Sequence, residues 1–167
     1  MSIKVDMVLN ILHTYPVSKI FYIGGEMSFS EKSVWLSIAI MLISYGIYWW
    51  IIAGQARSVP ITEVAYTGVM LASFGATIVT AILGHIMVAI LSLKEADKKD
   101  QRDHDINRYG EAIGYYVLSL AILVVLGLTM TKVAHFWIAN AIHFSCVFAS
   151  IWSSTVKLIG YRRGFWV

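Results

Sequence analysis

Cysteine, proline and charge are all scarce in this chain of 167 residues, and each scarcity excludes a class of protein. The single cysteine, Cys146, precludes an intramolecular disulfide, and no Cys or His pair has the spacing of a zinc site. Proline occurs only at Pro16 and Pro60, outside the long apolar tracts, which disfavours the broken helices that form ion sites in transporters. The sequence also contains no catalytic or nucleotide-binding motif. These absences favour a non-enzymatic protein without a metal or cofactor.

What is abundant is apolar sequence. Hydrophobic residues make up 58% of the chain, charged residues 14%, and the mean hydropathy is +0.70, values typical of a membrane protein. Four tracts free of Asp, Glu, Lys and Arg have roughly the length that crosses a bilayer, about 20 residues, and they run over residues 34–53, 64–93, 113–130 and 133–156. Because no ionisable carboxylate or amine lies inside a tract, a proton-coupled pump is disfavoured.

Most of the Lys and Arg residues fall on one side of the predicted spans. Residues 94–111, the connector between the second and third tracts, hold eleven of the 23 charged residues. Four spans place both termini and this connector together with eleven of the thirteen Lys and Arg, whereas the opposite side has only Arg57 and Lys132. Because Lys and Arg are retained in the cytoplasm, the sequence predicts an all-α, antiparallel four-helix bundle with both termini and the connector cytoplasmic.

The connector is predicted to be helical. Its only glycine is Gly110 and it has no proline, while opposite charges recur three or four residues apart, as in Arg108 and Glu111. Long second and third helices would then project into the cytoplasm and turn near residues 97–105. The turn is either a solvated charged segment or a docking surface for a cytoplasmic protein, formed by Asp100, Arg102 and Asp103.

The N-terminal segment has two alternative interpretations. Ser28 and Glu31 have the spacing of a capping box just before the first apolar tract, so the first helix is expected to begin there. Residues 1–26 could form an interfacial amphipathic helix that ends before Pro16. Alternatively, the codons for Gly24-Gly25-Glu26 are similar to a bacterial ribosome-binding site, which would make Met27 the natural start.

A ridge of small residues runs along the second span. Its members recur every fourth position: Gly68, Ala72, Ala76, Thr80 and Gly84. Small residues at this spacing let two membrane helices approach closely. The ridge could pack inside a single bundle or form the seam of a homo-oligomer, and the sequence leaves both open.

A polar stripe marks the fourth span. Four polar residues and a lysine follow helical spacing on one face: Asn140, His143, Ser150, Ser154 and Lys157. Polar groups at membrane depth usually face the bundle interior or a wet cavity. His143 is therefore a functional candidate, with a neutral, hydrogen-bonded histidine as the alternative. Lys157, Arg162 and Arg163 are expected to anchor the helix at anionic headgroups rather than to bind nucleic acid.

His85 on the second span raises the question of a haem. Measured from the outer ends of their spans, near Thr62 and Val133, His85 lies about 23 residues deep and His143 about 10, a difference of about 20 Å at helical rise. Two axial ligands must lie at one level, so a bis-histidine haem is disfavoured.

Several motifs resemble one family. They are Met27-Ser28-Phe29-Ser30-Glu31-Lys32-Ser33-Val34-Trp35, Asp100-Gln101-Arg102-Asp103 with Ile106, Gly110 and Tyr116, His135-Phe136-Trp137, and Tyr161-Arg162-Arg163-Gly164. Over roughly residues 27 to 165 the chain is similar to an uncharacterised family of small four-helix bacterial inner-membrane proteins, often encoded beside helix-turn-helix regulators. The resemblance implies a membrane sensor or accessory role, and the first 26 residues depart from the pattern. The family has no established active site to carry over.

Three functional hypotheses follow. The first is a non-enzymatic inner-membrane protein that assembles through the ridge and presents the connector to a cytoplasmic partner. The second is an oligomeric channel or small-molecule carrier lined by the polar stripe. The third is a membrane redox protein, which would show a visible absorption band.

Overall fold

A computed structural model describes residues 28–91 and 101–163. In these ranges the chain forms four long α-helices and one short 3-10 helix: α1 Phe29–Gln55, the 3-10 helix Ile61–Glu63, α2 Tyr66–Leu91, α3 Gln101–Met130 and α4 His135–Arg163. Each of the four is long and apolar enough to cross a membrane, so the chain is compatible with a multi-pass integral membrane protein. The two interpretations of residues 1–26, and Asp100, lie outside the described residues.

The start of α1 confirms the predicted cap. Ser28 is the N-cap, and its side chain accepts a hydrogen bond from the Glu31 backbone N–H at 3.2 Å, which satisfies one of the orphan donors of the first turn. The helix therefore begins five residues before the apolar tract. α3 likewise begins at Gln101, well before the tract at residue 113, so the described second half of the connector is helical as predicted.

The helices pack around α1 and α4. α1 contacts both α2 and α4, while α3 packs mainly against α4. At the end of the molecule with the short loops, the most buried apolar side chains form one cluster: Tyr48, Ile52, Val64 and Phe136. The ring of Tyr66 meets that of Phe136 edge-on at 5.2 Å. This end is closely packed, whereas the connector end contains a cavity lined by polar side chains.

Two glycines allow α3 to approach α4 closely. A Cβ added at Gly110 would overlap Lys157 Cγ, and one added at Gly114 would lie 2.9 Å from Ser153 Cβ. Both glycines are buried, and they are four residues apart, the spacing of close helix pairs in membranes. The α3–α4 interface therefore depends on the absence of side chains at these two positions.

Candidate functional site

All four helices contribute polar side chains to one cavity at the connector end, which we name the polar chamber. Its volume is about 330 Å³. The polar side chains that line it are Ser30, Ser33 and Ser37 from α1, His85 from α2, Asp103, His104, Asn107 and Glu111 from α3, and Ser154, Lys157 and Tyr161 from α4. It gathers more ionisable groups than the three other cavities described below.

An ion pair between a mostly buried lysine and a half-exposed glutamate lies in the chamber. Lys157 Nζ lies 3.4 Å from Glu111 Oε1, with the lysine side chain 13% exposed and the glutamate 50% exposed. Asn107 Nδ2 also donates to Glu111 Oε1, at 3.1 Å. The stem of Lys157 passes α3 where Gly110 has no side chain. Lys157, which we expected to anchor at headgroups on the surface, is thus directed into the chamber.

Further polar contacts tie the helix ends together around the chamber. Ser30 Oγ donates to Asp103 Oδ2 at 3.0 Å, linking α1 to α3. Arg162 Nε donates to Glu31 Oε1 at 3.1 Å, linking α4 to α1. Such partly exposed pairs each contribute little to stability, about 0–1 kcal/mol. They link the start of α1 to the start of α3 and to the end of α4.

His85 lies on the α2 wall of the chamber with both ring nitrogens engaged. Nδ1 donates to the Ala81 carbonyl at 2.7 Å, and Nε2 lies 3.3 Å from Ser37 Oγ. The Ser37 hydroxyl, which has one proton to donate, also lies 3.0 Å from the Ser33 carbonyl. His85 is therefore held between α1 and α2, with an oxygen atom close to each ring nitrogen.

A second cavity, which we name the lateral cleft, continues from the chamber. It measures about 390 Å³ and shares four residues with the chamber: Ser37, Glu111, Ser154 and Lys157. α1, α3 and α4 line it. Away from the chamber its lining includes the apolar residues Met41, Leu118 and Ala149 together with Ser150 and Ser153. The exposed lining is mainly polar in the chamber and mainly apolar in the cleft.

The polar stripe of α4 follows these cavities and then enters the core. Ser154 lines the chamber and the cleft, Ser150 lines the cleft, and His143 borders a third cavity of about 150 Å³. Asn140, 5% exposed, ends the row because its Oδ1 accepts from Tyr48 Oη at 2.7 Å and its Nδ2 donates to the Phe136 carbonyl at 2.8 Å. The stripe is thus internal, as membrane-depth polar residues usually are.

His143 itself is enclosed by aromatic rings. Its ring centroid lies 5.2 Å from that of Tyr45, 4.8 Å from Tyr48 and 4.6 Å from Phe74. The side chain is 4% exposed, and Nδ1 has no hydrogen-bond partner among the described residues. A buried polar atom without a partner costs free energy.

Replacing His143 by phenylalanine tests whether that cost is present. His143→Phe keeps an aromatic ring and removes the orphan nitrogen, so the thermal stability in mild detergent should stay equal or rise, by up to about 1–3 kcal/mol. Trp fluorescence during heating gives the measurement. Phe148→Leu serves as a control for an apolar substitution on the exposed side of the same helix. A clear loss of stability would mean that Nδ1 is satisfied in the folded protein by a group such as a bound water.

The small-residue ridge divides between two environments. At one end, a Cβ at Gly84 would lie 3.0 Å from the Leu36 side chain, so this end packs inside the bundle. At the other end, Gly68, Ala72, Ala76 and Thr80 are exposed. Gly68, Ala72 and Ala76 also border a groove of about 440 Å³ between α1 and α2. No residue of α2 is buried.

The described residues of the predicted partner-facing turn contact their own chain. Arg102 donates to the Tyr161 carbonyl at 3.4 Å, and Asp103 accepts from Ser30. On the same turns of α3, Asp105 and Arg108 are exposed. Substitution of Arg102 and Asp103 would therefore disturb the helix ends as well as any partner, whereas Asp105 and Arg108 can be changed with less effect on the fold.

The polar chamber was not predicted as a unit. Ser30, Ser33 and Ser37 follow the i, i+3, i+7 spacing of one helical face, and Gly110 and Gly114 are four residues apart, so local signals were present. What no local signal reveals is that these groups meet Glu111 and Lys157 at one level.

Comparisons with known proteins give no further constraint on the site. No protein-family model, curated protein or solved structure matches the chain. Within residues 28–91 and 101–163, no group of three or more His, Cys, Asp or Glu side chains could hold a metal ion. Which ligand the chamber could bind therefore depends on the chemistry of its own side chains.

Proposed function

We propose that this chain is a non-enzymatic protein of the bacterial inner membrane that acts as a sensor or accessory subunit. Its helices form an antiparallel bundle with both termini and the connector in the cytoplasm, as the distribution of Lys and Arg favours. The observation that carries the proposal is the position of the chamber. Four of the first eleven residues of α3, which leads out of the charged connector, line it: Asp103, His104, Asn107 and Glu111.

The first turns of α3 then present one face to the chamber and another to the surface of the connector. Asp103 and Glu111 line the chamber, while Asp105 and Arg108 on the same turns are exposed and do not belong to its lining. A ligand that binds the chamber with different affinity in two arrangements of this helix end shifts the population between them. A cytoplasmic protein that contacts Asp105 and Arg108 would detect that shift. The resemblance to small inner-membrane proteins encoded beside regulators supports the same role.

Assembly through α2 is the second part of the proposal. The exposed half of the ridge, from Gly68 to Thr80, carries small residues that let a second helix approach closely. A Cβ at Gly68 would meet nothing within 4 Å, so this surface is unoccupied within the described chain. A second copy that packs here would leave the chamber accessible, since His85 is the only α2 residue that borders it.

Site-specific photo-cross-linking in the native cell tests both parts. A photoreactive residue at Asp105 should give a discrete adduct with a cytoplasmic protein, and one at exposed Arg57, at the other end of the spans, should not. A photoreactive residue at Ala72 should give a product of twice the chain's mass, while its neighbour Leu71, which is 67% exposed and about 100° around the helix, should not.

Two outcomes would refute the proposal. An identical pattern of adducts at Asp105 and Arg57 would remove the connector-side partner. Equal dimer yields at Ala72 and Leu71, or none at either, would remove the ridge as a specific seam.

A further inference from the structure

The geometry points to a phospholipid with a primary ammonium headgroup as the ligand of the chamber and cleft: we propose that the headgroup occupies the polar chamber and that an acyl chain lies in the lateral cleft. This inference rests on the proposed function in treating the chamber as the ligand site. It depends on three observations, namely unused hydrogen-bonding capacity, the mixture of charges in the chamber, and the polar-to-apolar change along the two cavities.

Lys157 has hydrogen-bonding capacity to spare. An ammonium carries three donors, and among the described residues the acceptor found for it is Glu111 Oε1 at 3.4 Å. That distance is longer than the roughly 2.7–2.9 Å of a charge-assisted hydrogen bond between an ammonium and a carboxylate. Because the lysine side chain is only 13% exposed, bulk water reaches it poorly. A phosphate oxygen in the chamber would supply the missing acceptors.

The carboxylates call for a positive group in the same ligand. Asp103 and Glu111 line the chamber with Lys157, so with neutral histidines the lining carries one more negative than positive charge. The contacts found among the described residues engage Asp103 Oδ2 and Glu111 Oε1, which leaves the other carboxylate oxygens as acceptors. A purely anionic ligand would be repelled by these groups. A phosphate joined to an ammonium matches both signs.

The cleft distinguishes a lipid from a soluble zwitterion. It is an open cavity lined by α1, α3 and α4, and its lining beyond Glu111 includes Met41 and Leu118. An acyl chain in the cleft would bury these apolar walls and remain continuous with the bilayer. A free phosphoethanolamine would leave the cleft unfilled, and so the observations favour the acylated form.

Native mass spectrometry of the purified full chain, with an equimolar mixture of phosphatidylethanolamine, phosphatidylcholine and phosphatidylglycerol, tests the proposal. Phosphatidylethanolamine should be retained about tenfold over phosphatidylcholine, because a quaternary ammonium cannot donate the charge-assisted hydrogen bond. Glu111→Gln should abolish the preference, whereas Lys157→Met, which removes the contact to the phosphate that both lipids carry, should lower the retention of both. Arg108→Gln, an exposed charge change on the same helix, should retain it.

A further variant leaves the Lys157–Glu111 ion pair intact, so any effect it has does not come from loss of a contact between α3 and α4. Ser154→Leu adds bulk where chamber and cleft share a wall and should lower phosphatidylethanolamine retention without changing any charge. Equal retention of the ethanolamine and choline lipids by the unaltered protein would overturn the proposal, as would an unchanged preference in Glu111→Gln together with unchanged retention in Ser154→Leu. Equally tight binding of free phosphoethanolamine would also overturn it, in favour of a soluble zwitterion. Each of these failures would leave the Asp105 cross-link untouched, so the proposed function would be judged separately.

Discussion

Replacing Gly110 or Gly114 by alanine should lower the thermal stability of the protein, whereas Gly127→Ala on the same helix should leave it unchanged or raise it. In an exposed helix interior, Gly→Ala is favourable by about 1 kcal/mol, and a Cβ at Gly127 would meet nothing within 4 Å. At Gly114 the new Cβ would lie 2.9 Å from Ser153 Cβ, and at Gly110 it would overlap the Lys157 stem.

The neighbours at these positions cannot move cheaply. The Ser153 carbonyl, part of the α4 backbone, would lie 3.1 Å from a Cβ at Gly110, so α3 must shift away from α4. Overpacking of this kind costs about 1–3 kcal/mol, which exceeds the gain in helix propensity. Heating in mild detergent, followed by Trp fluorescence, measures the change. If all three alanine variants moved the midpoint in the same direction, the close approach of α3 and α4 would be wrong.

Tyr48→Phe and Asn140→Leu should each destabilise the protein by about 1–2 kcal/mol, and the double variant should cost less than their sum. Tyr48 is 1% and Asn140 5% exposed, so a group that loses its partner finds neither water nor lipid. Leaving a buried polar group unpaired costs about 1–3 kcal/mol, while hydrogen bonds measured between membrane helices average about 0.6 and reach about 1.7 kcal/mol. Full burial places this pair toward the upper part of the membrane range.

A double-mutant cycle in an SDS unfolding titration isolates the pair. Tyr116→Phe, with a side chain 74% exposed, controls for loss of a tyrosine hydroxyl alone and should change little. Exact additivity of the two buried substitutions would show that the 2.7 Å hydrogen bond contributes no coupling energy.

The polar stripe of α4 contains two kinds of residue, one hydrogen-bonded and one without a partner among the described residues, and sequence spacing does not distinguish them. Asn140 and His143 both lie on the inward stripe of α4, yet Asn140 is satisfied through both atoms of its amide and His143 has an orphan Nδ1. Opposite stability effects are expected when each is replaced by an apolar residue. Spacing identifies the face on which a residue lies, but the partner across the interface decides what the residue contributes.

The ridge on α2 shows a similar division. Spacing alone predicts a close helix contact and leaves open whether the contact is internal or between copies. The structure assigns Gly84 to an internal contact with Leu36 and leaves Gly68, Ala72, Ala76 and Thr80 exposed. One periodic pattern therefore includes positions in two environments, because α1 contacts the ridge closely at Gly84 and is separated by a groove from Gly68, Ala72 and Ala76.

The sequence by itself determined the four membrane-length helices of the described ranges, the cap at Ser28 and the concentration of charge at the connector, because hydropathy, capping and charge are local properties of the chain. Only the tertiary structure decided which polar groups meet. Lys157 and Glu111 are 46 residues apart and Tyr48 and Asn140 are 92 apart, and their meeting depends on the rotation and register of one helix against another. In helices that are apolar on every side, periodicity does not mark the inward face, so the polar chamber emerges only from the packed structure.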